Sequence, residues 1–227
     1  MVSKKDNIIK AICIILIIVA IIVFLAIFYG KDSVFIYEDH LKENVLTISN
    51  RDESDRQEDI SLQEMTYYII NVEGDFHDAA LKFNSKYPEK YWMVKVKPMY
   101  NMKDYAKDLS IDSCVRDNVY YLEALKQGVE LTDEEIKLAE KDTRTILENI
   151  SSKQMNVSEF SYDVVYDIEE KLYVATKYVN MLVEQGHTME ELELEGSYYK
   201  QLLEKYNVDI NDKLWDRVKL GNLTITK

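Results

Sequence analysis

The sequence predicts a mainly α-helical domain after an N-terminal transmembrane helix, with a small two-stranded β element joining the ends of that domain. Only 6 Gly and 2 Pro occur in 227 residues, whereas a sandwich or barrel needs a turn signal every ~8–12 residues. Several stretches with a helical hydrophobic period begin at Ser or Thr capping signals. The two clearly β-prone segments, residues 45–49 and 223–226, lie near opposite ends of the domain. Because a lone strand leaves backbone groups unpaired, we expect these two segments to pair.

The N-terminal segment is typical of a signal anchor. Residues 11–29 are uninterrupted apolar sequence, close to the ~20 residues that span a bilayer as a helix. Lys4, Lys5 and Lys10 precede this run, so the positive-inside rule predicts a basic cytosolic tail at residues 1–10 and an extracytoplasmic remainder. The alternative is a cleaved signal peptide, but Phe24, Phe28 and other bulky side chains stand where cleavage needs small residues.

Charge and cysteine usage exclude some classes of partner. The formal net charge is −13, and residues 1–31 carry four lysines and one aspartate, so the remainder carries −16. An acidic surface of this kind repels nucleic acid and anionic lipid, and we expect no nucleic-acid partner. Cys13 lies in the predicted span and Cys114 in the domain, so no disulfide framework is expected, and Cys114 is interpreted as a small core residue.

Local signals divide the extracytoplasmic part into a membrane-proximal segment, residues 30–59, and a helical domain, residues 60–227. Capping boxes at Ser61, Thr132 and Thr188 predict three helix starts. Gly128 and Gly186 predict two helix ends. The predicted helices cover residues 61–87, 103–127, 132–150, 161–184, 188–206 and 212–218, with an extended or looped stretch at 91–97 and a short strand at 44–49.

Catalytic and metal-binding signatures are missing from the sequence. His40, His77 and His187 are far apart, and none belongs to a zinc-binding pattern. The sequence contains no glycine-rich phosphate loop and no nucleophile elbow. We therefore expect no enzymatic activity, no metal and no cofactor.

The unusual feature of the composition is 17 Tyr together with 8 Met and 2 Trp. One interpretation is amphipathic packing, in which each ring is buried and its hydroxyl reaches a polar partner. The other is a groove whose aromatic and Met side chains adapt to varied apolar segments. The candidate peptide-binding residues for such a groove are Tyr67, Tyr68, Trp92, Met93, Tyr120 and Tyr121.

A helical hairpin in the middle of the chain resembles a signature of the SurA/PrsA-type foldases. The sequence LEALKQGVELTDEE at residues 122–135 combines a glycine helix stop, an aliphatic bridge and a capped helix start. The sequence NVSEF at residues 156–160 is similar to the entry into the next long helix of that family's N-terminal chaperone module. The resemblance covers about residues 60–186 and implies a SurA-N-like helical domain in a Gram-positive cell envelope.

The chain also departs from the family pattern. Family members usually carry a parvulin-type prolyl isomerase domain after this module, but here Gly186, His187 and Thr188 lead directly into the next predicted helix. The resemblance therefore implies a membrane-anchored chaperone-like protein that binds unfolded or extended polypeptides and lacks isomerase activity. The alternative is an adaptor for one dedicated envelope or membrane partner. The sequence leaves open whether the chain forms a homodimer.

Overall fold

The computed structural model describes residues 35–52 and 57–221. A 3-10 helix at Tyr37–His40 precedes strands β1 (Asn44–Asn50) and β2 (Gln57–Ser61). Helices α1 (Leu62–Asp75) and α2 (His77–Phe83), a 3-10 helix at Pro88–Met93 and strands β3 (Lys95–Lys97) and β4 (Tyr100–Asn101) follow. The middle of the chain contains α3 (Met102–Lys126), α4 (Asp133–Asn149), α5 (Ser152–Ser158) and α6 (Tyr162–Glu184). The last elements are α7 (Met189–Leu192), α8 (Ser197–Leu203), β5 (Tyr206–Ile210) and α9 (Asp212–Trp215).

Local capping signals locate most helix ends correctly. Thr132 and Thr188 form the predicted capping boxes, and Gly128 and Gly186 take left-handed backbone conformations after α3 and α6. Ser61 also caps α1 by accepting a hydrogen bond from the Glu64 N–H at 3.2 Å. The Glu64 carboxylate, however, forms an ion pair with Lys171 of α6 at 3.3 Å. The first capping signal therefore contributes both to a helix start and to a tertiary contact.

Two predicted helices are interrupted. The helix expected from residue 61 to 87 ends at Asp75 and restarts at His77. The helix expected over residues 188–206 stops after Leu192 and restarts at Ser197, since the backbone folds closely on itself at Gly196. A Cβ atom at Gly196 would lie only 2.2 Å from a backbone carbonyl oxygen. In the stretch expected to be extended or looped at residues 91–97, the second 3-10 helix runs to Met93 and strand β3 begins at Lys95.

Helix α3 lies at the centre of the packed helices, against both α1 and α6, while α4 packs on α6. Small side chains at four-residue steps, Ala106, Ser110 and Cys114, are completely buried along α3. The Ser110 hydroxyl donates to the Ala106 carbonyl at 2.8 Å, so its polarity is satisfied within the helix. Small side chains permit close helix approach, and the prediction that Cys114 is a core residue is confirmed.

The sheet has three strands rather than the expected two. Its order is β2–β1–β5, and both pairings are antiparallel, with Leu46 opposite Ile60 on one side and Ile210 on the other. Residues 223–226, the predicted partner of β1, lie outside the described residues. Both edges of β1 are already occupied along Leu46–Ser49, so the two-stranded pairing is corrected: β5 returns the chain to β1.

The β1–β2 hairpin belongs to the same compact unit as the helices, which begins at Tyr37. The sequence had placed the start of the helical domain at residue 60. The reason for the difference is burial, because Val45, Leu46 and Ile48 are almost completely enclosed. Within residues 35–52 and 57–221, no helix combines the length and apolar character needed to cross a membrane. The predicted span at residues 11–29 lies outside this described part.

The end of the described chain is fixed against α1 and the second 3-10 helix. The Gly221 N–H donates to the buried Glu73 carboxylate of α1 at 2.5 Å. Gly221 has a φ of +89°, and a Cβ atom there would lie 2.6 Å from Cδ1 of Trp92. Gly128 has a similar conformation, φ +66°, but its surroundings are open. A comparison of substitutions at the two glycines therefore separates the cost of backbone strain from the cost of a packing clash.

We predict that Gly221→Ala lowers the free energy of unfolding more than Gly128→Ala does. Left-handed backbone strain costs each variant about 1–2 kcal/mol. Only Gly221→Ala also forces an atom against the Trp92 ring, which adds about 1–3 kcal/mol of overpacking. Urea unfolding of the full chain measures both losses. Equal losses at the two positions would show that the Gly221–Trp92 contact contributes nothing to stability.

Candidate functional site

The six candidate aromatic and Met residues do not line one surface. Tyr68, Trp92 and Tyr120 are buried, Tyr67 is 9% exposed, and Tyr121 is half-buried. Met93 is 69% exposed. The buried rings pack in separate places, with Trp92 against Phe76 and Tyr120 near Tyr199. A peptide-binding role for these residues stays a prediction; Tyr67 lines one cavity and Tyr120 lines another.

Tyrosine hydroxyls frequently donate to carboxylates from another part of the fold. Each of four donor–acceptor distances is 2.6 Å, in the pairs Tyr67–Glu169, Tyr206–Glu123, Tyr173–Asp142 and Tyr100–Asp108. The Tyr120 hydroxyl instead donates to the Leu192 carbonyl at 2.8 Å. The bonds of Tyr67, Tyr120 and Tyr206 favour the packing interpretation of the tyrosine surplus, because these rings are buried while their hydroxyls stay paired.

The best candidate site is a groove of about 400 Å³ between α1, the end of α4 and the α5 region, called here the α1–α4 groove. Its apolar lining consists of Tyr67, Ile70, Ile146, Ile150 and Phe160. Its polar lining consists of Asn71, Asp75, Asn149 and Gln154, and Gly74 completes the α1 side. Tyr67, Phe160 and Gln154 are buried, whereas Asn71, Asp75 and Asn149 are exposed. The groove therefore has a mostly apolar interior and a polar rim.

Helix termination explains why the groove is open. Helix α4 ends at Asn149 because Ser151 caps α5 in a capping box, and Ile150 between them is extended. Helix α5 is short and ends in the left-handed residue Glu159. The side chain of Gln63 on α1 donates to the carbonyls of Ser158 and Glu159 at 2.9 and 3.0 Å. These bonds hold α5 against α1, so two rigid helices flank the groove.

Gly74 adds to the openness on the α1 side. It is an exposed glycine inside a helix, and a Cβ atom built there meets nothing within 4 Å. A helical glycine costs about 0.5–1 kcal/mol relative to alanine. Gly74 therefore lowers the stability of α1 and leaves space beside Tyr67 and Ile70.

The base of the groove is electrostatically unusual. Tyr67 donates to Glu169 of α6, and both side chains are buried. Burial raises the pKa of the Glu169 carboxyl, while the hydrogen bond from Tyr67 works in the opposite direction. Burial also raises the pKa of the Tyr67 hydroxyl, and the neighbouring Glu169 charge raises it further. The hydrogen bond from the neutral Tyr67 hydroxyl to the Glu169 carboxyl fixes the floor of the groove. This pair supplies no nucleophile.

A second cavity of about 290 Å³ lies between α3, α6 and α7. Its charged residues are Arg116, Asp117 and Glu193, and the Arg116 guanidinium is 2.9 Å from Asp117 and 2.7 Å from Glu193. Burial raises the pKa of Asp117, and the Arg116 charge opposes that shift. Because both carboxylates already accept from Arg116, this cavity contains a closed ion-pair network.

No group of three or more His, Cys, Asp or Glu side chains within residues 35–52 and 57–221 is placed to hold a metal ion. His40 pairs with Glu43 at 2.7 Å, and His187 lies 3.8 Å from Glu191. These two contacts are local along the chain and involve a single carboxylate each.

Comparison with known proteins yields no match: no family model fits the sequence, and no curated protein or solved structure is significantly similar.

Sequence reasoning did not identify the α1–α4 groove. Ile146 and Ile150 fall at apolar positions of the helix predicted over residues 132–150, and Gly74 lies within the helix predicted over residues 61–87. The available signal was the combination of a glycine in a helical stretch with apolar residues at the end of another helix. Which helix ends would meet is a tertiary property that the sequence does not display.

Proposed function

We propose that the protein is a membrane-anchored, extracytoplasmic chaperone-like protein that binds apolar segments of secreted or envelope proteins. The observation that carries this proposal is the α1–α4 groove, with its apolar interior, polar rim and unfilled space beside Gly74. The proposal also rests on the resemblance of residues 60–186 to the chaperone module of SurA/PrsA-type foldases. It includes no prolyl isomerase or other catalytic activity.

The size of the groove sets the strength of binding. A volume of about 400 Å³ is at the small end of ligand pockets, which span about 300–1,000 Å³. Burying one large apolar side chain contributes about 1.5–3 kcal/mol, and association costs offset part of that gain. Hydrophobic burial is non-directional, so many sequences would bind. Weak and unselective capture of this kind suits a holdase, which must release its clients.

The polar rim suits an extended polypeptide. The exposed side-chain amides of Asn71 and Asn149 lie at this rim and carry both donor and acceptor groups, and one Asn149 N–H already donates to the Thr145 carbonyl at 2.8 Å. An extended client exposes unpaired backbone N–H and C=O groups, which such amides can satisfy independently of the client's sequence. Asp75 at the same rim disfavours acidic clients, as does the net charge of the whole chain.

The membrane part of the proposal rests on residues 11–29 and the preceding lysines. Protease added to intact spheroplasts should digest the domain while residues 1–10 stay protected, because the basic tail is retained in the cytosol. An epitope tag at each end of the chain reports both segments in one experiment. Full protection of the domain would refute the topology, and a soluble mature form would favour the cleaved signal peptide.

The groove is tested by filling it from Gly74. Gly74→Leu is expected to raise the free energy of unfolding by about 0.5–1 kcal/mol, because leucine is a better helix former and meets no neighbouring atom at Cβ. The same side chain should occupy the groove and reduce the ability of the chain to prevent aggregation of unrelated unfolded proteins. Light scattering during client refolding measures this ability.

The matched control is Gln201→Leu, which adds the same side chain at an exposed position of α8. It should leave client protection unchanged. Equal protection by the Gly74→Leu variant would refute the groove as the client site. If the unsubstituted chain protects no client, the dedicated-adaptor alternative is favoured instead.

A further inference from the structure

The lysine-rich segment at residues 82–103 reverses the charge of the chain locally. It contains six lysines and one glutamate, a net charge of +5, in a protein whose overall charge is −13. The segment includes the second 3-10 helix and the β3–β4 hairpin. The positive charge of this segment acts locally and is little reduced by the acidic residues elsewhere, because charges farther apart than a Debye length of ~8–10 Å are largely screened from each other.

The same segment exposes large apolar side chains. Met99 is 99% exposed, Met93 69% and Val96 49%. Met99 stands at the hairpin turn with a φ of +59°, a left-handed conformation that residues other than glycine, Asn and Asp adopt rarely. In β3, successive side chains point to opposite faces, so Val96 projects away from Lys95 and Lys97. The hairpin thus exposes Val96 on one face of β3, Lys95 and Lys97 on the other face, and Met99 at the turn.

The hairpin rests on a rigid base. The Met102 N–H donates to the Val94 carbonyl at 2.8 Å, which closes the loop onto the start of α3. Beneath it, the buried ring of Trp92 packs edge-on against Phe76 at a centroid distance of 6.2 Å. The exposed side chains therefore project from a fixed platform.

Tyrosine rings accompany the lysines on this surface. Lys97 Nζ lies 4.2 Å from the ring centroid of Tyr100, and Lys90 Nζ lies 4.6 Å from that of Tyr87. Tyrosine and lysine are the residues that favour the boundary between lipid headgroups and acyl chains, where one end is apolar and the other is polar. The nearby carboxylates, Asp104 and Asp108, accept hydrogen bonds from the Asn101 N–H and the Tyr100 hydroxyl.

We propose that the β3–β4 hairpin, together with Met93 and Lys90, is a membrane-contact site that binds the anionic headgroup surface of a lipid bilayer. Met99 and Met93 would enter the headgroup layer while Lys90, Lys95 and Lys97 pair with lipid phosphates. Each lysine near an anionic leaflet strengthens binding about fivefold. The acidic remainder of the chain weakens the attraction little, since only charges close to the surface act on it.

Shape and area favour lipid over a protein partner. A specific protein interface buries about 800 Å² on each side, with complementary shapes. The β3–β4 hairpin is a seven-residue projection, and neither cavity described above includes any of its residues. A lipid surface needs no shape complementarity, and a convex basic-apolar tip inserts into it directly. The inference is independent of whether the α1–α4 groove binds clients.

The test measures the membrane depth of Met99 in the full chain. An environment-sensitive fluorophore is attached to Met99→Cys in a Cys13→Ala background, where Cys114 is completely buried and resists labelling. The protein is incorporated into or added to vesicles of phosphatidylcholine alone or with phosphatidylglycerol, each with a quencher at headgroup depth. The matched control carries the fluorophore at Leu138→Cys, an exposed apolar position of α4.

We expect quenching of the Met99 probe in anionic vesicles to exceed that in phosphatidylcholine at least severalfold and to fall in high salt. Reversing Lys90, Lys95 and Lys97 to Glu should lower occupancy by more than about tenfold, whereas changing them to Arg should preserve it. Quenching no greater than that at Leu138, or insensitive to lipid charge, would overturn the proposal. So would shielding of the probe that follows protein concentration without lipid, which would indicate a second copy of the chain.

Discussion

Three carboxylates are buried within residues 35–52 and 57–221, and their hydrogen bonds constrain the whole arrangement. Glu73, Glu123 and Glu169 are each at most 8% exposed. They accept hydrogen bonds from the Gly221 N–H, the Tyr206 hydroxyl and the Tyr67 hydroxyl respectively. Leaving a buried charge without such partners costs about 3–5 kcal/mol. Packings that separate these acceptors from their donors are therefore strongly disfavoured.

Each of these bonds joins parts of the chain that are far apart in sequence. Glu73 joins α1 to the end of the described chain, Glu123 joins α3 to β5, and Glu169 joins α6 to α1. The central helix is thereby tied to the sheet, and α1 is tied both to α6 and to the end of the described chain. Two consequences bear on function. The base of the α1–α4 groove is fixed by the Glu169 bond, and the Trp92 platform below the β3–β4 hairpin is held by the contact with Gly221.

Features that depend on neighbouring residues could be predicted from the sequence, and features that depend on distant ones could not. Thr132, Thr188, Gly128 and Gly186 each act within one helical turn, and the structure confirms all four. Strand β5 was not predicted: it begins where the helix expected over residues 188–206 ends, and its partner β1 lies about 160 residues earlier. The predicted closing strand at residues 223–226 lies outside the described residues, and β2 and β5 occupy the two edges of β1.

The candidate site also combines features that could be predicted from the sequence with features that depend on distant residues and could not. The surplus of tyrosine was visible in the composition, but composition could not tell a packed ring from an exposed one. Tyr68 and Tyr120 proved to be interior residues, whereas Ile146 and Ile150 became groove walls because α4 ends beside α1. The lysine-rich segment, in contrast, could be read from the sequence, and only its exposure required the structure.

The most direct test of the central claim is a double-mutant cycle on the buried pair Tyr206 and Glu123, using Tyr206→Phe and Glu123→Gln. The exposed pair Tyr100 and Asp108, whose hydrogen bond has the same 2.6 Å length, serves as the reference, with Tyr100→Phe and Asp108→Asn. Urea unfolding should give a coupling energy of at least about 1 kcal/mol for the buried pair and less than about 0.5 kcal/mol for the exposed pair. Equal coupling energies in the two pairs would contradict the claim that buried carboxylate bonds constrain this fold.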